Sequence, residues 1–280
     1  MDIKILEMEE RKCRFILKDA SPAKANALRR TMLTDIPKMA IDSVDFHLGP
    51  IDVDGREFES ITPLFDEIIA HRLGMVPVPT RPDGFEFNYK DECSCGGEGC
   101  PNCTVMYSLN KHGPCTVLSG DMVPLGSDAF RVCDPNIPIV ELADRQSVLI
   151  YAHAVKGTAR KHVKWQVANG VGYKYMPHVE IDPKHDKDEA LVAIAEKYPD
   201  GLSVKGGKVT VKSDLDCGIK RGCIEALSEC EGVTITWDDS NFIFQFETDG
   251  SLTAEQTLAK AREILAKEAQ DFKDQIRNLS

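Results

Sequence analysis

No apolar run in this sequence approaches the roughly 20 residues of a membrane-spanning helix. The N-terminus, MDIKILEMEE, is acidic and lacks the basic-then-apolar pattern of a secretory signal. The expectation is no membrane partner and a cytoplasmic location. Positive charge is also short: 34 Lys and Arg stand against 45 Asp and Glu, a net charge of −11. A protein that grips phosphates carries a basic stripe. Protein partners are therefore expected, and direct sequence-specific DNA contact is not. Catalytic signatures are missing as well. The chain has no Gly-x-Ser-x-Gly elbow, no His-Glu-x-x-His helix and no phosphate-binding loop.

Cysteine, by contrast, is plentiful, with ten in 280 residues. Without an export signal, the four that crowd into 93–103 read as a metal site in a reducing compartment. Cys93-Ser94-Cys95 and Cys100-Pro101-Asn102-Cys103 offer four thiols, and tetrahedral zinc takes four ligands at about 2.3 Å. Gly96, Gly97 and Gly99 let the chain reverse between the halves. One structural zinc per chain on Cys93, Cys95, Cys100 and Cys103 is expected. Four thiolates fill the coordination sphere and leave no position for a substrate.

Local patterning describes the two ends. Residues 3–8 and 12–18 alternate apolar and polar and read as a hairpin. Ser21-Pro22 opens a helix with Ala25, Leu28, Met32 and Leu33 on one face, and Pro37 stops it. Residues 39–48 read as a strand. Near the other end, Asn241 to Glu247 alternates with large aromatics, Thr248-Asp249-Gly250 turns, and Thr253 with Gln256 forms a capping box. A helix of about 25 residues follows, about 38 Å long. Its stripe is Leu258, Ala261, Leu265, Ala269, Phe272 and Ile276, with Leu279 beyond. One small core cannot cover that length, so the stripe is expected to pack against a second protein.

Between the ends the pattern changes twice. Residues 49–171 are rich in short strands, Gly and Pro (Pro50, Pro63, Pro77, Pro79, Pro82) and contain the cysteine cluster. Residues 172–238 read as strand (His178–Ile181), helix (Asp186–Lys197), strand (Lys208–Val211), helix (Arg221–Cys230) and strand (Val233–Trp237). That order follows the ferredoxin-like plan, with one strand not placed. The fold class is α+β. A discontinuous terminal domain (1–48 and 239–280) carries a β-rich insert (49–171) and a ferredoxin-like module (172–238).

Three further constellations are read as structural. The bacterial iron–sulfur run is Cys-x2-Cys-x2-Cys-x3-Cys-Pro. Laid on Cys217, its ligand positions hold Cys217, Lys220, Cys223 and Leu227, with Ser228 for the proline. An earlier half set against Pro199 holds Asp188, Leu191, Ile194 and Tyr198. Six of eight thiols are missing and Cys230 lies off the frame, so an iron–sulfur cluster is not expected. Leu191, Ile194 and Leu227 should fill its space. Asp66, Glu67, His71 and Arg72 read as a helix surface, with Glu67 and His71 paired at i,i+4. Lys156 to Trp165 is a basic run that reads as a strand pair with a buried Trp.

Two segments carry a resemblance. Asn26-Ala27-Leu28-Arg29-Arg30-Thr31-Met32-Leu33-Thr34-Asp35-Ile36-Pro37, running on to Ile41-Asp42, is the first. Asp66-Glu67-Ile68-Ile69-Ala70-His71-Arg72-Leu73-Gly74-Met75-Val76-Pro77-Val78 is the second. Together they resemble the D-type subunit of archaeal RNA polymerase, a family related to the third-largest subunit of RNA polymerase II and to the bacterial α subunit. Gly157 to Trp165 resembles a Gly-x-x-x-x-His-x-Lys-Trp stretch of that family, which implies packing near other subunits. The likeness covers nearly the whole chain and is strongest at 21–46, 62–78, 156–176 and 237–265. It implies an α-subunit-like dimerisation domain, a zinc loop within the insert and no catalytic residue. The nucleotidyl-transfer activity of DNA-directed RNA polymerase belongs to the whole transcription enzyme. It also implies pairing with a small α-like subunit, subunit L, and then recruitment of subunits N and P and the second-largest catalytic subunit. The residues expected at the partner interface are Leu28, Arg29, Arg30, Met32, Leu258, Ala261, Leu265 and Phe272.

Overall fold

The computed structural model describes residues 2–80 and 84–278; Pro82 and Leu279 lie outside them. The chain begins with β1 (Asp2–Met8), β2 (Lys12–Lys18), α1 (Pro22–Thr34), β3 (Lys38–Phe46), β4 (Pro50–Val53), β5 (Arg56–Glu59) and α2 (Asp66–Met75). It continues with β6 (Thr104–His112), β7 (Cys115–Leu118), β8 (Val123–Pro124), β9 (Pro138–Leu142), β10 (Ser147–Gly157) and β11 (Ala168–Ile181). Then come α3 (Glu189–Lys197), β12 (Leu202–Lys205), β13 (Lys208–Val211), α4 (Asp214–Ile219), α5 (Arg221–Ser228), β14 (Val233–Thr248) and α6 (Ala254–Asn278). Two compact units result.

One unit comprises 1–8, 12–29 and 170–246. Its sheet runs β1-β2-β14-β11, and β1 pairs antiparallel with β2. Alternation puts Cys13, Phe15 and Leu17 of β2 inside, with Phe242, Phe244 and Phe246 of β14. Phe15 stacks on Phe244 at 5.0 Å, and Tyr173 meets both Phe242 and Phe244. The expected strands at 233–237 and 241–247 are one strand. Asp238-Asp239-Ser240-Asn241 has the composition of a turn, yet it stays extended. The Asp238 carboxylate accepts from the Ser240 N–H and Oγ and from Asn241 Nδ2.

In the same unit α3, α5 and the β12–β13 hairpin enclose a second core. Val179, Leu191, Ala195, Leu202, Val209 and Leu227 meet there, with Ile194 packed against them. Here the sequence expectation needs three corrections. The helix expected from Asp186 starts at Glu189, because Asp182 to Asp188 is taken up by successive turns in which the His185 and Asp188 N–H groups donate to the carbonyls of Asp182 and His185. The helix expected over Arg221–Cys230 ends at Ser228 and is preceded by a separate short helix, α4, capped by Ser213 Oγ. The strand that could not be placed is β12, paired to β13 across Gly206-Gly207.

The other unit comprises 9–11, 30–169 and 247–280. Its sheet runs β3-β10-β6-β8, with β10 antiparallel to both β3 and β6. Ile41, Ile69, Leu73, Tyr107, Leu109 and Ile150 belong to one buried core, and α2 lies against β3. Trp165 is buried and its indole N–H donates to the Val155 carbonyl at 3.0 Å. A Cβ on Gly157 would stand 2.4 Å from that ring, so only glycine fits. The expected capping box of α6 is present: the Thr253 N–H donates to Gln256 Oε1 at 3.0 Å, and the Gln256 N–H to Thr253 Oγ1 at 3.1 Å. The turn before it is anchored by Asp249, which forms an ion pair with the buried Lys38 and accepts from the Ser251 N–H and Oγ.

Candidate metal centre and partner-facing surfaces

Between α2 and β6 the described residues contain no strand and no α-helix. The chain instead folds back on itself at three glycines with positive φ: Gly96 at 68°, Gly97 at 86° and Gly99 at 102°. These angles favour residues without a Cβ. Two tight turns result. The Gly96 N–H donates to the Cys93 carbonyl at 3.0 Å, and the N–H groups of Cys103 and Thr104 donate to the Cys100 carbonyl at 2.9 and 2.8 Å.

The turns bring the four thiols together. Sulfurs about 2.3 Å from one zinc stand roughly 3.8 Å apart along the edges of a tetrahedron. Here Cys93 and Cys100 are 3.6 Å apart, Cys95 and Cys103 3.7 Å, and Cys100 and Cys103 3.8 Å. All four sulfurs lie within 4.8 Å of one another, whereas a disulfide would need about 2.05 Å. Backbone N–H groups are aimed at these sulfurs and favour the thiolate at Cys95, while Cys100, against the pull of the Asn102 N–H, is held up to about 11 by desolvation and by hydrogen bonds shared with the other three cysteines. The N–H of Cys100 donates to Cys103 Sγ at 3.4 Å. The Cys95 thiol is pulled down to about 6, led by the Gly99 N–H with that of Gly97 adding to it. Spacing, donors and chemistry all fit a metal ion of the zinc type. Among the described residues this is the only group of three or more Cys, His, Asp or Glu side chains whose ligand atoms all lie within 4.8 Å of one another.

The second cysteine group is built differently. Cys217 and Cys223 are fully buried in the core that holds Leu191 and Leu227, and Cys230 packs at its edge. Burial first, then the neighbouring Cys223, pushes the Cys217 thiol up to about 12.

The eight expected interface residues divide in two. Met32 and Ala261 are fully buried within the chain, and Leu28 and Leu258 keep 3% and 9% exposure. Arg29 is half-buried, with its guanidinium donating to Asn26 Oδ1, and Arg30 is exposed. Leu265 is half-buried and Phe272 is 65% exposed, as is Ile276 at 52%. From Ala266 onward every described residue of α6 is exposed.

Two smaller expectations are settled by contacts. The expected Glu67–His71 pair does not form among the described residues. Arg72 is the anchor of α2, donating to the Ile139 carbonyl at 2.6 Å. In the basic run, Lys164 lies 4.4 Å and Lys161 5.2 Å from the Trp165 ring centre, and the ring is buried. It has no free face for a base. The sequence reading missed an exposed apolar set on and before α2: Ile61, Phe65, Ile68 and Met75. Its signal was present, since α2 is apolar on more of its circumference than one buried face requires.

Residues 51–176 match the RNA polymerase Rpb3/RpoA insert domain. With the four-cysteine loop lying inside that stretch, the chain falls in the class of RNA polymerase subunits that carry this insert. It is 46% identical over 263 residues to the DNA-directed RNA polymerase subunit Rpo3 of Thermoplasma volcanium, covering 93% of this chain and 94% of the relative. It is 43% identical to that of Picrophilus torridus, over 91% of this chain and 92% of the relative. With that of Archaeoglobus fulgidus the identity is 37%, over 97% and 96%. The chain belongs to the Rpo3 family of DNA-directed RNA polymerase subunits, and its role lies in transcription. Among the described residues no helix is long and apolar enough to cross a membrane.

Proposed function

We propose that this chain is the D-type assembly platform of an archaeal RNA polymerase, non-catalytic by itself and working in the cytoplasm. It pairs with a small α-like subunit, subunit L, and the pair recruits subunits N and P and the second-largest catalytic subunit. The dimerisation domain is 1–48 with 239–280, the β-rich zinc-loop insert 49–171 and the ferredoxin-like module 172–238. Cys93, Cys95, Cys100 and Cys103 hold one structural zinc, which would cross-link the loop and take no part in chemistry. The module works without an iron–sulfur cluster, its place taken by Leu191, Ile194 and Leu227.

The observation that carries this reading is α6. Its first turns are buried at Ala254, Thr257, Leu258 and Ala261, yet the apolar stripe continues through Leu265 to the exposed Phe272 and Ile276. Large apolar side chains repeated along an otherwise solvated helix mark a contact with another chain. Arg30, exposed on α1, is the polar contribution to the same pairing. The test is Phe272→Asp, which sets an unpaired carboxylate into the apolar contact. It should weaken pairing by roughly 2–4 kcal/mol, an interface hot-spot cost, and leave the fold unchanged because the residue is exposed. Light scattering on the chain mixed with its small partner reads the result. An equally stable pair in the variant would refute the interface.

A further inference from the structure

A cavity of about 230 Å³ opens beside α2, and its lining includes Asp42, His71, Gly74, Met75, His162 and Lys164. It draws together two motifs that zinc binding and pairing through α6 leave unexplained, His71-Arg72-Leu73-Gly74 and His162-Val163-Lys164-Trp165. Gly74 keeps it open. A Cβ there would already touch the Ile41 carbonyl oxygen at 3.4 Å and Lys164 Cδ at 3.8 Å, so a larger side chain would fill the space.

The polar inventory of this socket is one-sided. Lys164 Nζ donates to Asp42 Oδ1 at 2.6 Å, which uses one of the three donors of an ammonium group. His162 Nδ1 accepts from the Lys164 N–H at 3.1 Å, so in the neutral ring the proton sits on Nε2, a donor. His71 has no partner among the described residues. Asp42 is the only carboxylate in the lining, and its Oδ1 is taken by Lys164 while its other oxygen remains an acceptor. What the socket offers a newcomer is N–H donors over an apolar floor of Ile41, Val44 and Met75. The volume lies below the roughly 300 Å³ at which small-molecule pockets begin, and suits a side chain better than a cofactor. Beside it α2 exposes Phe65 (78%), Ile68 (42%) and Met75 (45%). Those side chains have no complement on a nucleic-acid backbone and a good one on a protein.

We infer that this socket receives a carboxylate side chain from another protein chain of the polymerase, carried on a segment whose flanking apolar residues cover Phe65, Ile68 and Met75. The inference rests on the reading of the chain as a polymerase subunit. The assembled enzyme, purified through a tag on this chain, tests it. A zero-length carbodiimide cross-linker should join Lys164, the one amine of the lining, to an Asp or Glu of another chain. Diethylpyrocarbonate should modify His71 and His162 far more slowly than the exposed His178 in the same sample. Met75→Glu, at an exposed position, should lower retention of the cross-linked chain about tenfold. Cross-links confined to Asp42, or His71 and His162 as reactive as His178, would overturn the inference and leave the subunit reading standing. So would protection that arises only when DNA is added. A chain that brings down no polymerase would overturn both.

Discussion

The four-cysteine loop at 93–103 and the core around Leu191 and Leu227 use the same residue type to opposite ends. From residue 88 to 104 the only buried residues are Cys93 and Cys103. That segment has no aliphatic interior, and its four cysteine sulfurs lie within 4.8 Å of one another, close enough to hold a metal ion. In the other region Cys217 and Cys223 lie among Leu191, Leu202, Val209 and Leu227, at no exposure at all. The thiols of the loop split: Cys95 is drawn down to about 6 by backbone N–H groups, and Cys100, against the pull of the Asn102 N–H, is held up to about 11 by desolvation and by hydrogen bonds shared with the other three cysteines. Cys217 is pushed up to about 12, mainly by burial. A thiol ringed by N–H donors becomes a ligand, and a thiol ringed by hydrocarbon becomes a small hydrophobe. One region has the geometry to hold a metal and no core of its own, and the other is filled by hydrocarbon.

The sharpest way to break this contrast is to remove one sulfur from the loop. Cys100→Ser should release one zinc per chain and open 88–104 to proteolysis. Structural zinc contributes on the order of 10–16 kcal/mol in zinc-finger peptides, and this loop has nothing else of comparable size. The module should be unaffected. Metal analysis with limited proteolysis reads both, and zinc retained at full stoichiometry would show that the loop does not depend on that thiolate.

The converse change is Leu227→Ala. A fully buried leucine in a close-packed core costs about 2–5 kcal/mol when cut to alanine. The loss should appear as faster hydrogen exchange in α3 and α5, with zinc content unchanged. Should zinc fall in this variant, or should exchange in α3 stay as it was, the two regions would not be independent in the way their cores suggest.

The contrast also explains what the sequence could and could not reveal. Four cysteines at Cys-x-Cys and Cys-x-x-Cys spacing, with glycines between, specify a site by local geometry alone, and the loop was legible for that reason. The hairpin β1–β2, the Pro22 helix and the Thr253–Gln256 box are local in the same sense. Long-range placement was not legible. Leu202 to Lys205 is too short and too polar to read as a strand until Lys208 to Val211 pairs with it. Asp238 to Asn241 looks like a turn until its side chains are seen bonding one another along an extended chain. The apolar stripes of α1 and α6 gave the right helices, but a stripe does not say which of its residues meet the chain's own core. Leu28, Met32, Leu258 and Ala261 do, and that is why the free surface shrinks to the distal half of α6.

The smallest expected effect sharpens the comparison by its sign. Cys217 titrates higher in the folded chain, about 12, than an unfolded cysteine near 8.5. The folded state holds the proton over that interval and the unfolded state gives it up. The stabilisation is therefore complete below the unfolded value and is lost as pH climbs towards the folded one. At about pH 10 the loss should be about 2 kcal/mol. Urea unfolding followed by the fluorescence of Trp237, at about pH 8 and pH 10, measures it. Cys217→Ala should lower the midpoint at both values and reduce the difference between them, with Cys223 and Cys230, whose thiols burial also raises, keeping the remainder. A metal on the four-cysteine loop would run the other way, since its ligands must shed protons to bind it, and acid rather than alkali should empty the site. A wild-type module whose midpoint held steady to pH 10 would mean that Cys217 meets water in the folded state, and the hydrocarbon side of the comparison would fail with it.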